Sequence, residues 1–377
     1  MFKKINNCVL VVLFLAILTL PLLFTRWESG GTSEAENRNL AKFPELIEDG
    51  SFNMAFTQLF EDWFMDHLGF RKALIETNET LMQKVFKRDL TTSEWKTGKT
   101  GDSIYAPAFI IEDFAHTNLR TPEKVAAIGN SYQTISDYLE KKGIPFYYVQ
   151  CVDKHTIYPE RFIPHVRQVG DISKTDQVMK YLKNETTVNV IYLKDPMWEA
   201  REEYGVFSHW GDAAHWTDRG AYISYRYMME RINRDMDVPL KVLQEDAYKI
   251  TYRTKEGPDG QTEQIEVFTI IEPKAQSVDT AVLGKWSGDK RHTVWKNPEA
   301  GNDKRLLLMG DSYIESFLIE DFAESFGEVW MVWGDYIQEL PEIVEFCDPD
   351  MVWLECAERV DRSSGVCALA EKLQSAG

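Results

Sequence analysis

From Thr121 onward the apolar positions of this chain switch between two periods. Val125, Ile128, Tyr132, Ile135 and Leu139 recur on threes and fours, with Thr121 as a cap, Pro122 at the first helical position and Gly143 as the stop. Ile144 to Val149 then runs apolar without a break, as a buried strand does. Asp176 to Lys183 reads as a helix, Val188 to Leu193 as a second strand, and Asp195-Pro196 opens another helix. Thr217 to Ile232 returns to the helical period, with Tyr222, Tyr225, Met229 and Ile232 inward. Arg305 to Met309 is a short apolar strand ending at the turn Gly310-Asp311-Ser312. Two more strands follow, Glu328 to Val332 and Met351 to Glu355, around a helix near Pro341 to Phe346. This alternation predicts an α/β fold with a mainly parallel sheet and helices on both faces. Lys249 to Arg253 and Glu263 to Ile270 flank Gly257-Pro258-Asp259-Gly260, so a β-hairpin insertion is expected over about 246–290.

Upstream the pattern differs. Phe56, Phe60, Phe64 and Leu68 place a helix within Ser51 to Phe86, Ser33 to Asp49 reads as an extended arm, and Glu28 to Thr32 as a tether. Met1 to Trp27 carries Lys3 and Lys4 ahead of an apolar run from Cys8 to Phe24. That run is about 17 residues, near the lower length that spans a bilayer, and no small-residue cleavage site follows it. The expectation is an uncleaved membrane anchor with the remainder extracytoplasmic, cleavage further along being the alternative. The expected divisions are 1–27, 28–95 and 96–377.

Composition narrows the partners. Sixty acidic against 42 basic residues give a net charge of −18, which argues against nucleic acid and anionic lipid surfaces. Hydrophobic residues make up 44% of the chain, enough for a packed core. Outside the apolar run stand Cys151, Cys347, Cys356 and Cys367, an even number that permits disulfides without choosing a pairing. No Cys-x-x-Cys or Cys/His cluster suggests zinc, and neither a metal nor a cofactor is expected.

The chemistry concentrates in two stretches. Ser312 follows a buried strand and precedes a helix, the edge of an α/β sheet where ligands bind and backbone N–H groups collect. A serine there is placed as a nucleophile, or else Asp311 and Ser312 merely cap the helix. A serine nucleophile needs a base and an acid that orients it. In His209 to Tyr222, Asp212 and His215 supply both, three residues apart. A second Gly-Asp-Ser occurs at Gly101-Asp102-Ser103, but the polar run Lys96 to Thr100 precedes it, so no buried strand delivers Ser103 to a sheet edge.

Gly310-Asp311-Ser312 after a strand resembles the first block of the SGNH (GDSL-type) hydrolases, and Asp212-Ala-Ala-His215 is similar to their Asp-x-x-His block. The histidine block comes first here, a rearranged motif order that resembles the alginate O-acetyltransferase X/J-like branch. Glu36-Asn37-Arg38 with Phe43-Pro44, Phe60 to Arg71, Asp153-Lys154 with Tyr158-Pro159-Glu160, His215-Trp216-Thr217 and Glu358-Arg359 resemble that branch too. Two stretches depart from it: the branch usually has Asp-x-His, whereas position 213 is Ala, and Thr100 to Tyr105 replaces a Gly-Trp-Leu-Phe-Tyr-like strand. The resemblance implies an SGNH-like (flavodoxin-like) fold and an O-acetyltransferase of exported polysaccharide. Its acetyl donor would arrive through a membrane-bound O-acyltransferase. Ser312, His215 and Asp212 would be catalytic. Lys154, Tyr158, Trp216 and Tyr313 are the candidates for substrate contact, with a solvated Lys154–Asp153 pair and a packing role for Trp216 as alternatives. An acetyl esterase and a non-catalytic glycan-binding scaffold remain the competing functions.

Overall fold

The computed structural model describes residues 14–16, 19–25, 27, 30–33, 38–48, 51–53, 55–71, 73–74, 77, 94–237 and 239–376. Two compact units divide the chain, Met1–Thr91 and Thr92–Gly377. In the first, helix Phe56–His67 buries Trp63 within an aromatic cluster, its ring 4.8 Å from Phe43 and 5.6 Å from Phe60. The helix period expected there is therefore present. The part expected to continue to Phe86 lies outside the described residues beyond position 77, as does most of the expected anchor. Among the described residues no helix is long and apolar enough to cross a membrane.

The second unit is built on a seven-stranded sheet. Its strands are β1 (Phe146–Gln150), β2 (Asn189–Tyr192), β3 (Gln276–Val278), β4 (Thr293–Lys296), β5 (Arg305–Gly310), β6 (Glu328–Trp333) and β7 (Met351–Cys356), in the spatial order β3-β4-β6-β5-β7-β1-β2. The five strands from β6 to β2 are parallel, and β3 and β4 add an antiparallel edge. Those two short edge strands were not read from the sequence, because three or four residues carry no legible period.

The sheet is continuous in apolar residues because helices cover both faces. Tyr147, Val149, Leu306, Leu308 and Trp353 face one layer with Tyr225, Met228 and Ile232 of α3 (Asp218–Asn233). Phe146, Tyr148, Leu307, Met309 and Leu354 face the other, against α1 (Pro122–Glu140), α2 (Lys174–Glu185), α4 (Leu340–Cys347) and α5 (Ser363–Ala376). Thr121 caps α1 by accepting from Lys124 N–H, and all five predicted face residues of α1 are buried. The expected hairpin forms as Tyr248–Glu256 with Thr262–Ile270, a ladder separate from the main sheet.

This topology fixes where chemistry can occur. The chain steps outward from β1 to β2 on one side and from β5 to β6 on the other, with β7 between them. The carboxyl ends of β1, β5 and β7 therefore open side by side at the place where strand order reverses.

Candidate active site

Strand β5 ends at Gly310, where a side chain has no room: a Cβ would stand 2.8 Å from Leu308 Cδ2 and 2.9 Å from Glu355 Oε2. Asp311 follows in extended backbone and locks the turn in three ways. Its N–H donates to Glu355 Oε2 (2.9 Å), its Oδ1 accepts from Tyr313 N–H (3.1 Å), and its Oδ2 accepts from Ala357 N–H (2.9 Å). Glu355 is buried inside β7, and burial, then the neighbouring Asp311 charge, pushes its carboxyl well above the usual carboxylate range. Ser312 opens a one-turn helix, Ser312–Glu315, and its N–H has no hydrogen-bond partner among the described residues.

The loop before α3 supplies the partner. Ser312 Oγ lies 2.9 Å from His215 Nε2, and His215 Nδ1 lies 2.9 Å from Asp212 Oδ2. Spacing of three residues works because Asp212 folds over its own loop: Oδ1 accepts from Ala214 N–H (2.8 Å) and His215 N–H (3.1 Å), which leaves Oδ2 aimed at the ring. Burial raises the Asp212 carboxyl, but the His215 ring and these amides outweigh it and hold it at about 2. An ionised carboxylate only accepts, so Nδ1 carries the proton and Nε2 of the neutral ring accepts from the Ser312 hydroxyl. The imidazole packs beside Tyr313 and Phe317, with ring centroids at 5.2 and 5.6 Å. Asp218 turns away, accepting from Phe268 N–H of the hairpin (3.0 Å).

The four side chains expected at the substrate surface lie beneath it. Tyr313 is fully buried, its hydroxyl 2.7 Å from Asp153 Oδ1 and 3.0 Å from Ala214 O, tying the exit of β1 to the histidine loop. Trp216 is buried edge-on against Tyr313 at 4.6 Å. Tyr158 is buried with the Arg161 guanidinium over its ring at 3.7 Å. Lys154 is buried as well and faces Asp102 at 3.5 Å rather than Asp153. Each presents its polar tip or ring to the protein, as the packing alternative for Trp216 has it, and for the other three burial favours support of the site over sugar contact.

Sequence reading picked out Glu358-Arg359 as a branch motif without giving it a role in that support. Arg359 bridges Ala214 O and Asp153 (3.2 Å), and Glu358 accepts from Asp153 N–H (3.0 Å) and Thr156 Oγ (2.6 Å). A charge inside the apolar run of β7 was the available signal for Glu355. Beyond Phe317 a cleft of about 380 Å³ is lined by Tyr248, Phe268, Asp218, Glu315, Glu320 and Asp321, and no Lys, Arg or His lines it among the described residues. A larger hollow of about 680 Å³ lies at the opposite, amino-terminal edge of the sheet, remote from Ser312. Among the described residues no cluster of His, Cys, Asp and Glu is arranged to hold a metal ion. Cys151, Cys347, Cys356 and Cys367 are all unbridged.

No curated protein sequence matches the chain. The structure of PatB1 from Bacillus cereus superposes with a TM-score of 0.52 at 14% identity, covering 72% of this chain and 96% of that one. The O-acetyltransferase domain of Pseudomonas putida AlgJ is a fainter likeness, with a TM-score of 0.47 at 12% identity over 74% of this chain and 99% of that one. The PatB1 likeness establishes a shared fold. Residues 113–319, more than half of the chain, match the family model for the SGNH hydrolase-like domain, acetyltransferase AlgX. That span holds Asp212, His215 and Ser312 together, and the chain belongs to this family of SGNH hydrolase-like acetyltransferases.

Proposed function

We propose that the protein is a serine-dependent O-acetyltransferase that moves acetyl groups onto hydroxyls of an exported polysaccharide. The observation that carries this reading is the unbroken chain from Ser312 Oγ to His215 Nε2 and from His215 Nδ1 to Asp212 Oδ2, each link 2.9 Å. As Ser312 Oγ attacks an acetyl carbonyl, Nε2 takes its proton, and the imidazolium is held by Asp212. The Ser312 N–H faces the developing oxyanion as one donor. Collapse expels the donor's alkoxide, which leaves with the proton from Nε2, and acetyl-Ser312 remains. An acceptor hydroxyl then gives its proton to Nε2 and attacks the acetyl carbon. Ser312 leaves and is reprotonated, so the acetyl group has changed oxygen.

The aromatic and carboxylate lining beyond Phe317 suits sugar C–H faces and hydroxyls and disfavours uronate chains. By family resemblance the acetyl donor is delivered through a membrane-bound O-acyltransferase, and the amino-terminal apolar run would anchor this protein beside it, outside the cytoplasm. A mature terminus between Thr25 and Ser33 would replace the anchor with a cleaved signal. Acetyl-ester hydrolysis is the second reading, favoured by the 45% exposure of the Asp212 side chain, which leaves water a route to the same acyl-enzyme.

Mass spectrometry after incubation with a chromogenic acetyl ester tests the proposal. Acetyl on the Ser312 peptide is expected, followed by transfer to added neutral oligosaccharide. Acetyl-Ser312 that discharges only to water favours the esterase. An unmodified Ser312 with no turnover leaves a scaffold.

A further inference from the structure

The loop that carries Asp212 and His215 has no regular secondary structure between Ser208 and Trp216, so its shape depends on what grips it. The grip is a buried set of charges outside the reacting atoms. Lys154 Nζ donates to Ser208 O (2.7 Å) and His209 O (3.4 Å) in the loop, and to Ser103 O (2.9 Å) in the strand beside it. Ser103 N–H donates to His209 O (2.7 Å). Asp102, fully buried, has its Oδ1 2.9 Å from His209 Nδ1, 3.5 Å from Lys154 Nζ and 3.8 Å from Arg161 Nη1, while its Oδ2 accepts from Thr100. Glu263 of the hairpin completes the enclosure by accepting from His209 N–H (2.9 Å) and Ser208 Oγ (2.7 Å).

Burying an ammonium costs several kcal/mol unless acceptors replace its water, and the Lys154 ammonium finds three backbone carbonyls and one carboxylate. Such an arrangement is costly for packing alone and places its charge four residues or fewer from Asp212. We propose that Lys154 and Asp102 form a buried clamp that positions the Asp212–His215 loop for proton transfer with Ser312, Lys154 being a positioning residue. The proposal rests on the catalytic reading of Ser312 given above.

The clamp has a pH signature. Burial lowers the Lys154 pKa more than Asp102 raises it, to about 8, while the hydrogen bonds of His209 and Thr100 outweigh burial and hold Asp102 at about 2. The titratable and charged groups facing Lys154 are Asp102, Arg161, His209 and Glu263. Below about pH 8 the ammonium is charged and the grip is whole; above it the proton leaves. Because the folded pKa is depressed, folding disfavours the charged form. Raising the pH between the folded and unfolded values therefore strengthens folding as far as Lys154 is concerned. Activity is lost above about pH 8 without unfolding.

The experiment is the pH profile of chromogenic acetyl-ester turnover by the full chain, with thermal midpoint recorded at each pH. Wild type should lose kcat through an alkaline limb near pH 8 while staying folded. Lys154→Met should lower kcat about 10- to 100-fold with KM within about twofold, and the alkaline limb should vanish. Lys154→Arg, which keeps its charge at every pH used, should recover part of the kcat and move the limb upward; it carries the test alone if Lys154→Met does not fold. A folded Lys154→Met with wild-type kcat and the same limb, or a Lys154→Arg limb unmoved, overturns the clamp. Wild type with no turnover and no acetyl on Ser312 overturns the catalytic reading, and the clamp falls with it.

Discussion

The chain contains the tripeptide Gly-Asp-Ser twice, and the two copies do different work. In Gly310-Asp311-Ser312 the glycine ends a buried parallel strand, and the serine hydroxyl meets His215 at the carboxyl edge of the sheet. In Gly101-Asp102-Ser103 the serine lies in the antiparallel ladder Trp95–Thr97 with Ser103–Tyr105, its backbone taken by His209 and Lys154. The aspartates are more alike than the serines. Asp311 and Asp102 are both buried and both hold something else in place, the Ser312 turn in one case and the histidine loop in the other. What sets Ser312 apart is therefore the strand end that carries it and the imidazole it meets, not the tripeptide.

The sharpest break in this comparison is at the serines. We predict that Ser312→Ala lowers acetyl-ester kcat by about a thousandfold or more, whereas Ser103→Ala, which leaves the backbone contacts intact, changes it by less than about twofold. The reverse pattern in steady-state kinetics would sink the site assignment. Next come the aspartates. Asp102→Ala strips a buried partner from Lys154, His209 and Arg161 and is expected to cost about 3–5 kcal/mol in urea unfolding. Asp311→Ala leaves two amides short of an acceptor and should cost about 1–3 kcal/mol. Equal, negligible losses would mean that neither carboxylate holds its loop. At the glycines, Gly310→Ala forces a methyl against Glu355 and Leu308, with an expected loss of about 1–3 kcal/mol. Gly101 stands at φ 82°, so there the penalty of alanine is backbone strain instead. The smallest effect is behind the turn: with burial pushing the Glu355 carboxyl up, Glu355→Gln keeps the shape and should move stability by less than about 1 kcal/mol. A loss beyond about 2 kcal/mol at neutral pH would show that Glu355 carries a charge there.

The parts of this fold that were legible in sequence are those with a period. Helix α1, the strand before Ser312 and the hairpin around Gly257 to Gly260 each bury one repeating face, and each appears within a few residues of where the pattern places it. The serine, histidine and aspartate were legible because their residue types and spacing are rare together. What was not legible is the layer beneath them. Lys154 and Tyr158 are residue types that suit a sugar site, and nothing local reveals that Asp102 and Arg161 close over them, whereas the packing alternative for Trp216 fits its place against Tyr313. Burial of a polar side chain is decided by partners about 50 to 100 residues away in the chain, as Lys154 with Ser208 and Trp216 with Tyr313 illustrate.

Strand β7 comes latest in sequence of all the sheet's strands, yet it stands between β1 and β5. During synthesis the β1–β2 pair and the β3–β4–β6–β5 group can each assemble, but no strand bridges them in the sheet until Met351–Cys356 has emerged. That strand also brings Glu355 and is followed at once by the Ala357 N–H, which together fasten Asp311 beneath Ser312. A growing chain therefore holds Ser312 for some 45 residues of elongation before the turn around it can be locked, a delay of seconds at ordinary translation speeds. Messages truncated before codon 351 should yield two half-sheets that no strand bridges, with exposed parallel edges, material for chaperones and proteases and not for catalysis.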